Sequence, residues 1–376
     1  MRITMFLFHT FRNDHRVLKE ARSLIGAGHR VTLIALREDD SLPAESTEEG
    51  IRVIRLRIRR WGWKKGRYAE YFLRAALAGF GTGADVYHAH DLDTLLPASI
   101  ASRLRRRPLV YDSHELFTET HFLVGREKER RIWSRIERAL IGRARRIITV
   151  SEPIADELTR RYGVEPPRVI RNCPAYHPPP EPVRPEGAAP DEPILLCQGY
   201  MQKGRGLEAL VGAMNHLSRG RLVLLGDGEM KEELANLVGL LELESRVSLH
   251  PAVPIEDLPP RTAAATLGFI VYSGASLNFL YALPNKFFEY LMAGVPVVAS
   301  PLPEIVKLVK EHGVGRIVDP VTPENIAKVV GDLLDHPEEL ARMRENCLRA
   351  AKDLHWGIEE RKLLEIYESL PPPTGN

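Results

Sequence analysis

Between Pro174 and Pro193 the chain carries eight prolines and few apolar side chains. Proline locks φ and has no N–H to donate, so a run of this kind is stiff and extended and joins no helix or central strand. The chain is 376 residues long, more than one hydrophobic core ordinarily serves. The segment therefore predicts two folded domains: residues 1–174, a linker at 175–192, and residues 193–355. A closing helical segment, 356–376, follows.

On both sides of the linker, apolar strand patterns alternate with helical ones, the signature of parallel sheets wound on both faces. In the first half Ile3 to Phe8 reads as a strand, and Asn13 or Asp14 can cap a helix with Val17, Leu18, Ala21, Leu24 and Ile25 on one face. Gly28 ends that helix, and Val31 to Leu36 is the next strand. The turn His9-Thr10-Phe11-Arg12-Asn13-Asp14 lacks Gly-x-Gly-x-x-Gly, which disfavours a nicotinamide-binding fold. In the second half Ile194 to Gln198 runs into Gly199-Tyr200-Met201-Gln202-Lys203-Gly204-Arg205-Gly206 and then a helix. Such glycines let backbone approach phosphate. A Walker loop would need Gly-Lys-Ser/Thr, which is absent here. No repeat of 20–50 residues is apparent, which argues against a solenoid.

Composition narrows the function classes. Apolar content of 44% and charged content of 27% are those of a globular protein. A net charge of +2 excludes a bulk polyanion binder, and no nucleic-acid motif accompanies the basic stretches. No apolar run is long enough to span a bilayer, and Met1 to Phe8 suits a core strand better than a secretory signal. Cys173, Cys197 and Cys347 show no metal spacing and make no even disulfide set, so a reducing cytoplasm is expected.

Two basic stretches stand out. Arg52 to Arg67 holds eight Lys or Arg and no acid. Its first part reads as a strand with Ile54, Leu56 and Ile58 buried and Arg55, Arg57 and Arg59 solvated. Arg60-Trp61-Gly62-Trp63-Lys64-Lys65 then reads as a basic-aromatic loop suited to anionic lipid headgroups or a phosphorylated acceptor. Arg126 to Arg146 holds nine basic residues and three acids around Ile132, Trp133, Ile136 and Leu140, an amphipathic basic helix. Contact with the inner face of a membrane and a plain solvated face both remain open for it.

Two strand ends in the first half carry polar clusters, where ligands of open parallel sheets gather. They are Val86-Tyr87-His88-Ala89-His90-Asp91 and Leu109-Val110-Tyr111-Asp112-Ser113-His114-Glu115. His88 and His90 point the same way on a strand, with no third ligand fixed by sequence, so no metal is expected. In the second half, Pro284 and Asn285 open a helix that Gly294 ends, and Val295 to Ala299 is a covered strand. The helix N-terminus offers N–H groups to an anion, Lys286 can face phosphate, and Glu289 can accept from hydroxyls. The alternative is an ordinary helix with Glu289 merely favourable near its positive end.

Four segments together resemble the retaining glycosyltransferases of family 4, of the GT-B fold. Tyr281-Ala282-Leu283-Pro284-Asn285-Lys286-Phe287-Phe288-Glu289-Tyr290 resembles a subgroup with Tyr-x-x-Pro-Asn-Lys-x-x-Glu-Tyr; in the wider family's Glu-x7-Glu, Glu289 matches the second Glu and Tyr281 stands at the position of the first. Asn13, Asp14, Arg16, Val17, Glu20 and Ala21 match the same subgroup. The Gly199–Gly206 loop resembles the diphosphate-gripping segment, with Tyr200 in place of its Arg and Arg205 in place of its Lys. Tyr111-Asp112-Ser113-His114-Glu115 resembles the segment whose His approaches the donor's sugar.

The resemblance implies two doubly wound Rossmann-like domains facing across a cleft, with sugar transferred from a nucleotide-diphosphate sugar to a hydroxyl acceptor with retention. It puts Arg205 and Lys286 on the diphosphate and His114 near the sugar as the catalytic set. Glu289 takes the ribose, and Gly204, Asn278 and Asn285 complete the donor pocket. Asn13, Arg16, His90 and Asp91 fall on the acceptor side. It implies no cofactor beyond the nucleotide sugar, no metal where cations neutralise the diphosphate, and a glycan or lipid-linked acceptor. A sugar-nucleotide 2-epimerase of the same architecture and a non-catalytic nucleotide-sugar-binding module are the alternatives.

Overall fold

The computed structural model describes residues 1–12, 14–39, 41–59, 64–272 and 276–372, without the side chains of Lys64, Lys65 and His121. Asn13 and the core of the basic-aromatic loop, residues 60–63, lie outside the described residues. The chain divides into two units, Met1–Arg171 with Glu359–Asn376, and Asn172–Ile358.

The first unit is built on strands β1 (Arg2–Phe6), β2 (Arg30–Leu36), β3 (Glu45–Glu48), β4 (Ile51–Leu56), β5 (Val86–His90), β6 (Leu109–Ser113), β7 (Arg146–Thr149) and β8 (Arg168–Val169). They form one sheet in the order β3-β4-β2-β1-β5-β6-β7-β8, parallel except for the β3–β4 pair. Helices α1 (His15–Gly26), α2 (Lys64–Thr82), α3 (Leu92–Arg105), α4 (Glu127–Leu140) and α5 (Glu152–Tyr162) connect them. The chain leaves β1 toward β2 and later returns on its other side as β5. The order therefore reverses between β1 and β5, which opens a crevice at their carboxyl ends.

The second unit repeats this plan with β9 (Ile194–Gln198), β10 (Arg221–Leu225), β11 (Val247–His250), β12 (Leu267–Ile270), β13 (Val297–Ala299) and β14 (Gly315–Ile317). The order is β11-β10-β9-β12-β13-β14, with the reversal between β9 and β12. Its helices are α6 (Leu207–Ala213), α7 (Lys231–Leu240), α8 (Leu258–Ala263), α9 (Leu277–Leu280), α10 (Asn285–Met292), α11 (Pro303–His312), α12 (Pro323–Asp335) and α13 (Pro337–Ala350). Strands β5, β6 and β9 are buried at every residue, as central parallel strands covered on both faces must be. The last helix, α14 (Trp356–Glu368), belongs to the first unit from Glu359 onward. There Tyr367 is fully buried and its hydroxyl lies 2.7 Å from His88 Nδ1.

Three sequence expectations change. The proline-rich segment contains no helix or strand, but it is no free linker: it groups with the second unit. Val183 N–H donates to Pro260 O, and Arg184 donates to the carbonyls of Ala189 and Glu192. In β4 the buried face is Ile51, Val53 and Arg55, the reverse of the expected register. The short strand β3 pairs antiparallel beside β4 and brings up Ser46 and Glu48, to which Arg55 donates, so the charge is buried with its partners. On α4, Trp133 and Leu140 are inward as expected, but Ile132 is exposed. Glu137 takes the inward position instead, accepting from the hydroxyls of Tyr111 and Tyr162.

Candidate active site

In the first unit the polar groups collect where β5 and β6 end. Asp91 follows β5 with φ +62°, an unusual conformation for a residue with a side chain, costing on the order of 1–3 kcal/mol. The cost has a visible return: Asp91 Oδ1 accepts the His114 backbone N–H at 2.9 Å, and Oδ2 lies 3.2 Å from His114 Nδ1. The other ring nitrogen, Nε2, lies 3.1 Å from Asp112 Oδ2. Asp112 is itself gripped in a fork by Arg16, Nε at 3.0 Å and Nη2 at 2.9 Å, while Nη1 donates to Ile170 O.

The charges follow from this geometry. Burial works against a charged His114, but Asp91 and Asp112 outweigh it and push its pKa up to about 10. Burial likewise works against ionised Asp112, and the Arg16 and His114 charges overcome it and hold it well below the usual carboxylate range. At neutral pH His114 is thus an imidazolium with both N–H groups pointed at carboxylates. It is a fixed cation, not a free proton acceptor.

Arg16 and His90, expected on the acceptor side, are 4% and 1% exposed and stand behind His114. Burial lowers the His90 pKa, so its ring is neutral. His90 Nδ1 lies 3.1 Å from His114 Nε2 and must accept, which leaves its proton on Nε2. That Nε2 and His88 Nε2 have no hydrogen-bond partner among the described residues, while Glu20 Oε1 lies 3.1 Å from Arg16 Nε. The His88 and His90 rings stack at 4.2 Å, on one side of the strand as expected. One donor atom each from Glu20, His88, His90 and Asp112 falls within 4.8 Å of the others. These four could hold a metal ion by donor chemistry, yet Asp112 is already engaged by Arg16 and His114. Burial, reinforced by the Asp112 charge, pushes Glu20 up to about 8, so it carries a proton at neutral pH. Asp91 and Asp93 also form an Asp-x-Asp pair, in which burial and the Asp91 charge raise Asp93 well above the usual range.

In the second unit the reversal between β9 and β12 gathers a different set. The turn after β9 crosses the edge of β12 so closely that a Cβ on Gly206, at φ +60°, would stand 1.9 Å from Val271 O. Glycine is required there. The turn delivers Arg205, whose guanidinium lies 5.6 Å from the Tyr272 ring centre and donates to Tyr200 O at 2.9 Å. Arg205 Nε is buried without a partner among the described residues. Lys286, in the first turn of α10 and 7% exposed, reaches the same ring at 5.7 Å and donates to Cys197 Sγ at 3.7 Å. Neither cation pairs with a carboxylate among the described residues. No side chain caps α10 among the described residues, and although Phe287 N–H donates to Pro284 O, the helix N-terminus stands beside these two charges.

Glu289 is half-buried one turn further along α10. Gln198, the last residue of β9, donates from Nε2 to Glu289 Oε2 at 2.6 Å, and its own Oε1 accepts from Thr262 at 2.9 Å. Asn285 is exposed at the head of α10, and Asn278 is half-buried on α9. Gly204 packs against the Phe279 ring. The five donor-side side chains and Gly204 named from sequence thus all come from loops and helix starts around β9 and β12. Gln198, Thr262 and Tyr272 were not named. Of these, Gln198 had a signal, as a polar residue ending an otherwise apolar strand.

A groove of about 870 Å³ in the first unit lies elsewhere. It is lined by Arg145, Arg146, Glu165 and Arg168 before β7 and β8, and by Glu365. That is the amino end of the sheet, remote from the polar cluster, so the chemistry and not the volume marks the site.

Two family models cover this chain, one on each side of the segment 174–180: Glycosyltransferase Family 4 over residues 15–173, and Glycosyl transferases group 1 over residues 181–349. The chain belongs to the GT-B glycosyltransferases. Among curated relatives, this glycosyltransferase is 28% identical to D-inositol 3-phosphate glycosyltransferase 1 of Catenulispora acidiphila over 309 residues, 76% of this chain and 72% of that one. Among solved structures it matches sucrose-phosphate synthase from Thermosynechococcus elongatus with a TM-score of 0.82 at 19% identity, covering 98% of both chains. HepE of Anabaena, solved with UDP and glucose, matches with a TM-score of 0.76 at 17% identity, covering 98% of this chain and all of that one. At these identities the two structures establish the fold: two α/β domains with parallel sheets. The activity of this glycosyltransferase is transfer of a sugar from a nucleotide sugar to an acceptor.

Proposed function

We propose that the enzyme transfers a hexose with retention at the anomeric carbon, from a nucleoside-diphosphate sugar to a hydroxyl of a lipid-linked or cell-surface glycan precursor. The observation that carries this reading is the pair Arg205 and Lys286, two cations over one ring without a carboxylate, beside an uncapped helix N-terminus. A diphosphate is the ligand that such a set neutralises, with Arg205 binding it in a fork and Lys286 as a point charge. Metal is then not required for the leaving group. Glu289, held by Gln198, accepts from the ribose hydroxyls, with Gly204, Asn278 and Asn285 around the donor. The Anabaena neighbour that binds UDP and glucose supports a donor of this class.

In the reaction proposed, the bond from the anomeric carbon to the diphosphate oxygen breaks as the acceptor oxygen attacks from the same face. The acceptor's proton passes to the departing diphosphate, so the protein need supply only position and charge. His114, a fixed cation, is assigned to the transferred sugar. Asp91, whose pKa burial raises, is assigned to the acceptor hydroxyl. Asn13, from the segment that matches the subgroup, is assigned to the same side; Arg16 and His90 act by holding His114 in place. Place of action is proposed to be the cytoplasm, at the inner face of the membrane where such precursors reside.

The test is the stereochemistry of the product. Incubation with a panel of nucleoside-diphosphate hexoses and an alkyl-linked acceptor, followed by proton NMR of the anomeric signal, should give the donor's configuration. An inverted product would end the retaining assignment, and epimerised nucleotide sugar without any acceptor would favour the epimerase.

A further inference from the structure

One buried histidine has no part in the transfer chemistry. His88 is fully buried on β5, two residues before His90, and the two rings stack. Burial, reinforced by His90, lowers the His88 pKa well below its ordinary value, so the ring is neutral and carries one proton. Its partner fixes where that proton sits. The Tyr367 hydroxyl lies 2.7 Å from His88 Nδ1 and has no other hydrogen-bond partner among the described residues. Burial raises the Tyr367 pKa well above its ordinary value, so the hydroxyl keeps its proton. Were Nδ1 the donor, that hydroxyl proton would be buried and unpaired. Tyr367 therefore donates, Nδ1 accepts, and the His88 proton sits on Nε2.

The stacked rings thus share one tautomer, each with Nδ1 as acceptor. His88 Nδ1 accepts from Tyr367, and His90 Nδ1 accepts from His114 Nε2 at 3.1 Å. A buried row therefore runs from α14 to the imidazolium: Tyr367, His88, the stack at 4.2 Å, His90 and His114. Helix α14 is seated independently of this row. Glu359 accepts the Arg171 backbone N–H at 3.1 Å, Glu365 pairs with Arg168 at 2.9 Å, and Ser369 accepts from Arg146 at 3.1 Å. Tyr367 is presented from a fixed helix. Apolar side chains of the same shape would fill this space at little loss of stability, so the polarity of the row points to orientation. We propose that Tyr367 and His88 are positioning residues: through the ring stack they hold His90 Nδ1 on His114 and fix the imidazolium at the angle that sugar transfer uses. The proposal rests on the assignment of His114 to the transferred sugar.

Tyr367→Phe removes one oxygen and leaves the other anchors of α14 in place. Per folded enzyme, kcat should fall by roughly tenfold, while KM for the nucleotide sugar that the native enzyme turns over stays unchanged. His88→Asn keeps an acceptor for Tyr367 where Nδ1 stood but gives up the stack, and should lower kcat at least as much. Nitrogen-15 NMR of the imidazoles checks the same row without turnover. Native His88 and His90 should carry their protons on Nε2, and His114 should carry one on each nitrogen. In Tyr367→Phe the His90 and His114 signals should move, although neither ring touches the altered side chain. A native His88 proton on Nδ1, or His90 and His114 signals that stay in place, would overturn the proposal. A large loss of kcat in His114→Gln with none in Tyr367→Phe would refute it and leave the transferase reading intact. Unchanged kcat in His114→Gln would end the assignment of His114 and this proposal together.

Discussion

Gln198 donates its amide N–H to Glu289 across 2.6 Å, tying the last residue of β9 to the second turn of α10. Thr262 holds the other end of the Gln198 amide, so the Glu289 carboxylate is aimed before any ligand arrives. A hydrogen bond to a charged group contributes on the order of 1.5–3 kcal/mol. Gln198→Leu should therefore raise KM for the nucleotide sugar by roughly tenfold or more, with a smaller change in kcat. Steady-state kinetics at saturating acceptor reads the split directly.

The turn through Gly206 has no room for a methyl group. A Cβ there would lie 1.9 Å from a backbone oxygen at φ +60°, so both the contact and the conformation resist it. Gly206→Ala should lower the melting temperature and displace Arg205, so that both stability and nucleotide affinity fall. Gly142→Ala is the control, since nothing lies within 4 Å of its Cβ position.

Asp112 joins Arg16 and His114 in the buried core of the first unit. Removing its charge leaves Arg16 and His114 without their shared counter-ion. Loss of one partner from a buried pair costs about 3–5 kcal/mol. Asp112→Asn should therefore unfold at markedly lower denaturant concentration, measured by urea titration followed by circular dichroism.

The same cluster sets a pH dependence. His114 has its folded pKa raised from 6.5 to about 10, so its contribution to stability is full below pH 6.5 and is lost as pH rises through about 10. Glu20, raised from 4.5 to about 8, acts in the same direction: the fold favours its protonated form, and that contribution is lost as pH rises from 4.5 through about 8. Unfolding free energy should accordingly fall between pH 6.5 and 10. In His114→Gln the part of that decline above pH 8 should flatten, which urea titrations across the range will show.

Much of the architecture was legible because parallel strands buried on both faces are uninterrupted apolar runs, as in β9 and β13. The strand ends were legible too: Gly199 follows the apolar run of β9, and Asp91 and His114 follow strands that turn polar at their carboxyl ends, at His88 and His90 and at Asp112 and Ser113. What was hidden depended on partners distant in the chain. Arg55 looked solvated because nothing local announces that Ser46 and Glu48 will cover it. Ile132 looked buried because its helix is amphipathic, yet Glu137 claims the inner face through Tyr111 and Tyr162. Arg16 and Glu20 matched a motif but not a place; only the sheet order brings them beneath β5 and β6. The motif residues Lys286 and Arg205 were each readable alone, while their meeting at Tyr272 was not.

The central claim is that Arg205 and Lys286 hold the donor's diphosphate, and calorimetric titration with UDP, CDP and GDP tests it most directly. The native enzyme should bind at least one of them, and Arg205→Ala with Lys286→Ala should lose roughly a hundredfold or more in affinity without a change in melting temperature. A double variant that binds the same nucleotide as tightly as the native enzyme would contradict the account.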